Sequence, residues 1–345
     1  MNELEALRKA LLDPNQSGKS ALVGDYEREL AAYFGCRHAV ALNSGSAALE
    51  AALVALGARP GTTILVSAAA PLPTLMPLIA TGADLRFVDS NIDNPGMDPV
   101  DLASCIDGSV IAAVQVPLWG YPLDYSQIQP LLDDAGIPLV EDAAHAHGAR
   151  IDDAHVGTLG RVGCFSTHQM KPLSTGEGGF ILTDDAAVES AVRRYSRIGN
   201  LDGASLGRNF KPSAFTAALG TARLSGLTHK VQLSRTSALH LLSQLPKGLS
   251  EEMAHIGTAN GYNLVVRVAS RTSAIALHQR LAEHGIETDP VRYRYKVGYR
   301  HPITQRWARE CRQAENLIDS LIQLPTGAAD PRELAARVAA AWAAV

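Results

Sequence analysis

The sequence predicts an α/β fold: a large domain around a mostly parallel central sheet, followed by a smaller C-terminal α/β domain. Three observations predict it. Over the first two-thirds of the 345 residues, short runs that are apolar along their whole length alternate with helical patterns. Strands of that kind are buried on both faces by crossover helices. After residue 160 two strands follow one another with no room for a full crossover helix. Further on, a second and shorter strand–helix succession begins. The boundaries drawn are 1–228 for an N-terminal helix and the large domain, and 229–345 for the small one.

The elements follow in order. Residues 25–35 read as an amphipathic helix and His38 to Leu42 as a strand. Ser46 to Leu56 is an Ala/Leu-rich helix closed by Gly57. Between Pro60 and Ala83 no residue is charged, a length sufficient to cross a bilayer. Pro71, Pro73 and Pro77 interrupt it, and prolines at that density break a spanning helix. A strand at 63–67, a loop and a helix at 74–81 fit better. Then come a strand at 85–88, a helix at 98–106, a strand at 109–115, a helix at 126–135 and a strand at 137–141. Strands at 162–166 and 179–183 are followed by a helical zone from 186 to 245, interrupted near 199–212. The small unit reads as a strand at 262–268, a helix at 271–284, a strand near Ile286 and helices at 304–322 and 331–344.

Composition excludes several classes. Hydrophobic residues make up 46% and charged residues 19%, too apolar for general disorder. The 31 Lys+Arg against 35 Asp+Glu leave a net charge of −4, so no basic field attracts nucleic acid. Cys36, Cys105, Cys164 and Cys311 lie far apart without metal-ligand spacing and read as reduced thiols of a cytoplasmic protein. The first residues, MNELE, carry acids and no apolar core, unlike a signal peptide.

Three segments could carry chemistry. CFSTHQMKPLSTGEGG (164–179) joins two strands and holds one lysine, Lys171, among small and hydroxyl residues. Poor solvation there would lower its pKa and free the amine as a nucleophile, though an ordinary surface lysine in a Gly-rich turn reads the same way. IPLVEDAAHAHG (137–148) runs a buried strand into Asp142, where ligands of open α/β sheets sit. An Asp-His-His metal site and a simple helix cap compete there, and the HAH spacing lacks a further matched ligand. NSGSAAL (43–49) turns from a strand into a helix, leaving the N–H groups of Gly45 and Ser46 to form an anion site or a plain Ser44 cap. Together the three meet the needs of pyridoxal 5′-phosphate: a lysine for covalent attachment, an aspartate that keeps the pyridine nitrogen protonated, and a helix N-terminus for the phosphate. No metal is expected.

NSGSAAL (43–49), VEDAAHAHGA (140–149), FSTHQMKPLSTGEGG (165–179) and GRNFKPSAFTAALG (207–220) occur in the order and at the separations found in one family. From about Asp25 to Gly220, and weakly at LIQLPTG (321–327), the chain resembles the DegT/DnrJ/StrS pyridoxal-phosphate-dependent sugar aminotransferases of fold type I. The resemblance implies that Lys171 binds the cofactor, that Asp142 faces the pyridine nitrogen, and that Gly45, Ser46 and Ser166 hold the phosphate. His145 stands where the family usually has Gln, beside the ring oxygen O3′, and imidazole can also hydrogen-bond that oxygen. Asn209 matches a residue that reaches the cofactor phosphate of the neighbouring subunit. A homodimer with shared sites is therefore implied, as is amino transfer from glutamate or glutamine to a keto-sugar or cyclitol in specialised-metabolite biosynthesis.

Three departures bear on this. Where the family places an aromatic ring over the pyridine face, this chain has Pro71, so stacking is expected to be aliphatic or to come from elsewhere. The N-terminal stretch and the region after Lys230 are short. The segment VRYRYKVGYR (291–300) is unusually basic and aromatic, which suits either an anionic substrate group or a solvated edge. Rival readings are elimination, replacement or decarboxylation on the same cofactor, and a non-catalytic binding or regulatory protein. Dehydratases of the family have lost the lysine to histidine, so Lys171 argues against that branch. Retention of Lys171, Asp142 and Ser166 argues against a binding protein. A dinucleotide-binding enzyme lacks its GxGxxG after the first strand.

Overall fold

The computed structural model describes residues 2–327 and 330–345. Two helices open the chain, α1 (Glu3–Leu12) and α2 (Ala21–Phe34), the second capped by Ser20, whose hydroxyl accepts from Leu22 N–H. Then β1 (His38–Leu42), α3 (Gly45–Ala55), β2 (Thr63–Ser67), α4 (Leu72–Ala80), β3 (Asp84–Val88), α5 (Pro99–Cys105), β4 (Val110–Gln115), α6 (Gln129–Asp134) and β5 (Leu139–Asp142) alternate. A two-residue hairpin, β6 (Arg150–Ile151) and β7 (Ala154–His155), precedes β8 (Val162–Ser166) and β9 (Gly179–Thr183).

Seven strands form one sheet in the order β1-β9-β8-β5-β4-β2-β3. Only β9 runs against the rest, pairing antiparallel with both β1 and β8. The connection from β8 to β9, residues 167–178, holds turns and bends but no helix to carry a crossover, and the chain returns antiparallel. Alternate strand residues feed opposite faces. Val40, Leu42, Ile64, Val66, Ala112 and Val114 pack towards α3 and α4. Ala39, Ala41, Phe165 and Phe180 pack towards α2 and α8, and Leu65 and Ala113 towards α5 and α6. The expected α/β class and mostly parallel sheet are therefore observed.

Beyond the sheet come α7 (Ala186–Ser196), α8 (Ala214–Leu224), α9 (Leu227–Gln244), β10 (Asn263–Arg267), α10 (Arg271–Glu283), α11 (Asp289–Arg292), α12 (Arg312–Ile318), β11 (Leu321–Pro325) and α13 (Pro331–Trp342). β10 and β11 pair antiparallel, with α9, α10 and α13 burying one face in a separate core. Val297, Tyr299, Cys311, Ala314 and Leu317 instead join the core of the large sheet.

Two expectations are corrected. Ile286 is buried but lies in the loop after α10, not in a strand. The helix expected over 304–322 is a 3-10 stretch (Pro302–Trp307), then α12, then strand β11. Leu321, Ile322, Gln323 and Leu324 are all buried, which one stripe of a surface helix does not produce. The uncharged 60–83 stretch resolves into β2 and α4, and α4 starts two residues early, with Pro71 as N-cap and Pro73 in its first turn, where a missing N–H costs nothing. Among the described residues no helix is long and apolar enough to cross a membrane. All four cysteines are unpaired.

Candidate active site

Strands β1, β5 and β8 point the same way, so their C-terminal ends reach one edge of the sheet. There the chain turns tightly. A Cβ on Gly45 would lie 2.7 Å from Ser166 Cβ, and one on Gly179 would lie 2.4 Å from the Ser44 carbonyl. Only glycine lets α3 start so close to β8. Ser44 caps α3 by accepting from Ala47 N–H at 3.0 Å. The preceding N–H groups, of Gly45 and Ser46, have no protein acceptor among the described residues. They face the same edge as the half-buried Ser166.

Asp142 ends β5 and is 5% exposed. Its Oδ2 accepts from Thr74 Oγ1 at 2.5 Å and its Oδ1 from Ala144 N–H at 3.2 Å. Burial pushes its pKa up, while these donors and nearby Lys171 pull it down. Glu141, one residue earlier, points away, accepting from the N–H groups of Gly157, Leu159 and Gly160 and from Tyr125 Oη. The strand end thus separates an anchoring carboxylate from one facing the cleft.

Lys171 lies in the turn between β8 and β9, its Nζ 5.2 Å from the centroid of the Tyr262 ring. Burial lowers its pKa to about 8, against the opposing pull of Asp142 and Asp289. His145 stacks on the other partner of that wall, Tyr262, with centroids 5.0 Å apart and planes at 28°. His145 Nδ1 accepts from Trp119 N–H at 3.2 Å. A neutral ring that accepts at Nδ1 carries its proton on Nε2. Burial, then Lys171, holds the His145 pKa far below the usual value, so the ring is neutral. Trp119 itself has φ +57, a left-handed conformation costly for a bulky residue. Its indole Nε1 donates to Asp289 Oδ2 at 2.6 Å.

Sequence reasoning placed Gly45, Ser46, Asp142, His145, Ser166 and Lys171 at one sheet edge, and the structure brings them there. Asn209 is exposed, with its Oδ1 accepting from Lys211 Nζ at 2.5 Å. Its carbonyl accepts from Asn43 Nδ2 at 3.4 Å, so it borders the α3 turn of its own chain without reaching Lys171. Thr74, Trp119, Tyr262 and Asp289 were missed. Trp119 follows β4 by four residues and Tyr262 directly precedes β10, and neither position singles out its ring. The Asp142–His145–His147 set does not converge: His147 is buried edge-on against Phe165 and Phe180 with both ring nitrogens unpartnered. The basic stretch divides as well. Arg292 pairs with Glu287 and Arg300 with Glu315, Tyr299 is buried and Tyr295 partly so. Tyr295 Oη donates to Ala69 O at 2.5 Å, roofing the loop that leads to Pro71.

The donor set fits pyridoxal phosphate. The glycine cradle at Gly45 and Gly179 leaves free N–H groups and a hydroxyl for an anion, Asp142 offers a buried carboxylate to a cationic nitrogen, and Lys171 offers an amine that deprotonates easily.

Comparison with known proteins agrees. The dTDP-3-amino-3,4,6-trideoxy-alpha-D-glucose transaminase of Streptomyces venezuelae is 33% identical over 199 residues, 57% of this chain and 52% of that protein. The GDP-4-keto-6-deoxy-D-mannose 3-dehydratase of Yersinia pseudotuberculosis is 27% identical over 320 residues, 84% of this chain and 81% of that protein. Several curated relatives, the transaminase among them, align over about half of their own length or less. The crystal structure of S. venezuelae DesV in complex with a ketimine intermediate superposes with a TM-score of 0.86 at 28% identity, covering 98% of this chain and 92% of that one. The profile of one family matches residues 2–342, and on that match the chain belongs to the DegT/DnrJ/EryC1/StrS aminotransferase family, which uses pyridoxal phosphate.

Proposed function

We propose that the protein is an aminotransferase that moves an amino group from glutamate or glutamine to a keto-sugar, cyclitol or related keto acceptor in specialised-metabolite biosynthesis. The observation that carries the reading is Lys171, a half-buried amine with its pKa lowered to about 8 at the edge where Asp142, Ser166 and the α3 turn meet. Bound pyridoxal phosphate supplies an electron sink at the carbon that loses or gains the amino group. Gly45 and Ser46 N–H and Ser166 Oγ would hold its phosphate. Asp142 would keep its ring nitrogen protonated. His145, with Nδ1 occupied by Trp119, would donate from Nε2 to the ring oxygen, as the amide of a glutamine would. Pro71 would offer an aliphatic face. Lys171 would hold the cofactor, and its free Nζ would take the proton from the donor α-carbon and return it. Relatives include a dehydratase; the lysine at 171, where that branch has histidine, favours transfer over elimination.

The visible spectrum of purified protein tests this. The bound cofactor's absorption band is expected to shift on adding glutamate or glutamine and to return on adding a keto acceptor. A band that neither donor moves rejects the amino-donor assignment.

Asn209 supports a second part of the reading, a homodimer. It sits in the loop between α7 and α8 with Ile198, Leu201 and Leu206, three exposed apolar side chains. Apolar side chains exposed together on one loop mark a surface that a partner covers. Asn209 would reach the cofactor phosphate of the neighbouring subunit. Sedimentation velocity with parallel assays is expected to find a dimer wherever the protein is active. A fully active monomer at micromolar concentration contradicts the shared site.

A further inference from the structure

Asn260 is 1% exposed and lies two residues before Tyr262, where the chain enters β10. Its Nδ2 donates to the carbonyls of His145, at 2.7 Å, and His147, at 3.0 Å. Its Oδ1 accepts from Tyr262 N–H at 2.9 Å. Its backbone N–H donates to Gly120 O at 3.2 Å. A Cβ on Gly120 would lie 1.9 Å from Asn260 Oδ1, so glycine, at φ +88, is what lets this amide enter. Three of the four hydrogen-bonding positions of the side chain are used, two on one segment far away in sequence and one on its own, and the backbone N–H reaches a second distant segment.

Each segment carries one piece of the wall beside Lys171. The turn after β4 carries Trp119, whose N–H fixes the His145 ring. The turn after β5 carries His145. The start of β10 carries Tyr262, which stacks on His145 and lies under Lys171 Nζ. We propose that Asn260 is a positioning residue of the active site: its side-chain amide ties the turn after β5 to the start of β10 and so holds the His145–Tyr262 pair against Lys171, while its backbone N–H ties the start of β10 to the turn after β4. The C-terminal unit thereby helps to shape a site whose chemistry sits on the large sheet.

The consequence falls on Lys171. Asp142 at the end of β5 and Asp289 on α11 face it and favour its charged form. His145 and His147 lie near it, neutral, and Tyr262 covers it. The rings exclude water and favour the free amine. Without the pin, His145 and Tyr262 swing away, water solvates the ammonium, and the two carboxylates prevail. The amine then titrates at higher pH.

The bearing of this on turnover rests on the proposed role of Lys171, so the test uses the full chain without cofactor. Lysines are acylated across the neutral to alkaline range and Lys171 is read by mass spectrometry, with exposed Lys247 as internal reference. In Asn260→Ala the labelling midpoint of Lys171 is expected to rise from about 8. Labelling at neutral pH then falls roughly tenfold for each pH unit of that rise. Asn260→Ser, also too short to reach the His145 and His147 carbonyls, gives the same shift if the alanine variant fails to fold. Ser320→Ala, which removes a buried hydroxyl bonded to Leu317 O at 2.8 Å, controls for general loosening. A Lys171 midpoint unchanged in a folded Asn260 variant overturns the inference, as does an equal shift in Ser320→Ala. Borohydride fixation of cofactor in the wild type tests the role of Lys171 separately: label on another lysine rejects that role and leaves the titration to decide on Asn260.

Discussion

Lys171→Ala is expected to lose turnover by at least about 10⁴-fold, some 5.5 kcal/mol or more, because two separate contributions vanish together. The first is the attachment that the proposed role gives Lys171, which would hold the cofactor in place beside the substrate. The second is proton transfer at the donor α-carbon, for which a group titrating near the working pH is best suited. Lys171 has that property because burial outweighs Asp142 and Asp289 and brings its pKa to about 8. Noncovalent cofactor binding should survive, since Gly45, Ser46, Ser166 and Asp142 are untouched. Lys171→Arg separates charge from nucleophilicity: it keeps a cation between the two carboxylates and should be as inactive as the alanine variant. Borohydride reduction of the wild type should fix label on Lys171 alone. Label on Lys211, which donates to Asn209 Oδ1 in the loop before α8, would show the assignment wrong.

Three of the residues read from the sequence share one property: each stands just after an apolar run. Asp142 follows Leu139–Glu141, Ser166 follows Val162–Phe165, and Gly45 follows His38–Leu42, so a strand prediction also predicts where they lie. Their chemistry then narrows the ligand. The opposite wall gives no such clue. Trp119 and Asp289 are bonded across 170 positions, and Asn260 reaches His145 across 115. Trp119 and Asn260 sit in connections, and Asp289 opens the four-residue α11, all too short to show period 2 or period 3.6, so spacing carries no information about what lies opposite. His145 was legible as a position, but which nitrogen carries its proton depends on a backbone N–H from Trp119. Overreading of a period also explains the main error in the fold. Cys311, Ala314, Leu317 and Ile318 are buried at helical spacing, and the pattern invited an extension through Leu321 and Ile322. Those two belong to β11, whose hydrogen bonds go to β10, a partner that no local window contains.

Asp142→Ala is expected to cut turnover by about a thousandfold or more, at least some 4 kcal/mol of transition-state stabilisation, with the protein still folded. A carboxylate buried at the end of β5 is unfavourable on its own, and burial indeed pushes its pKa up. It is held by Thr74 Oγ1 and Ala144 N–H, and these two donors alone do not need a full negative charge. A cationic nitrogen placed against it does, and a charge-assisted hydrogen bond of that kind is about twice as strong as a neutral one. The activity loss and the structural loss can be told apart. Removing the carboxyl leaves the buried Thr74 hydroxyl without its acceptor, a cost to stability of about 1–3 kcal/mol. Asp142→Asn keeps an acceptor for Thr74 and should recover most of that stability, yet an amide cannot hold a positive charge on the ring nitrogen and turnover should stay low. If Asp142→Asn instead restores turnover along with stability, the residue serves only to cap the turn at Ala144, and the pairing with the cofactor ring is wrong.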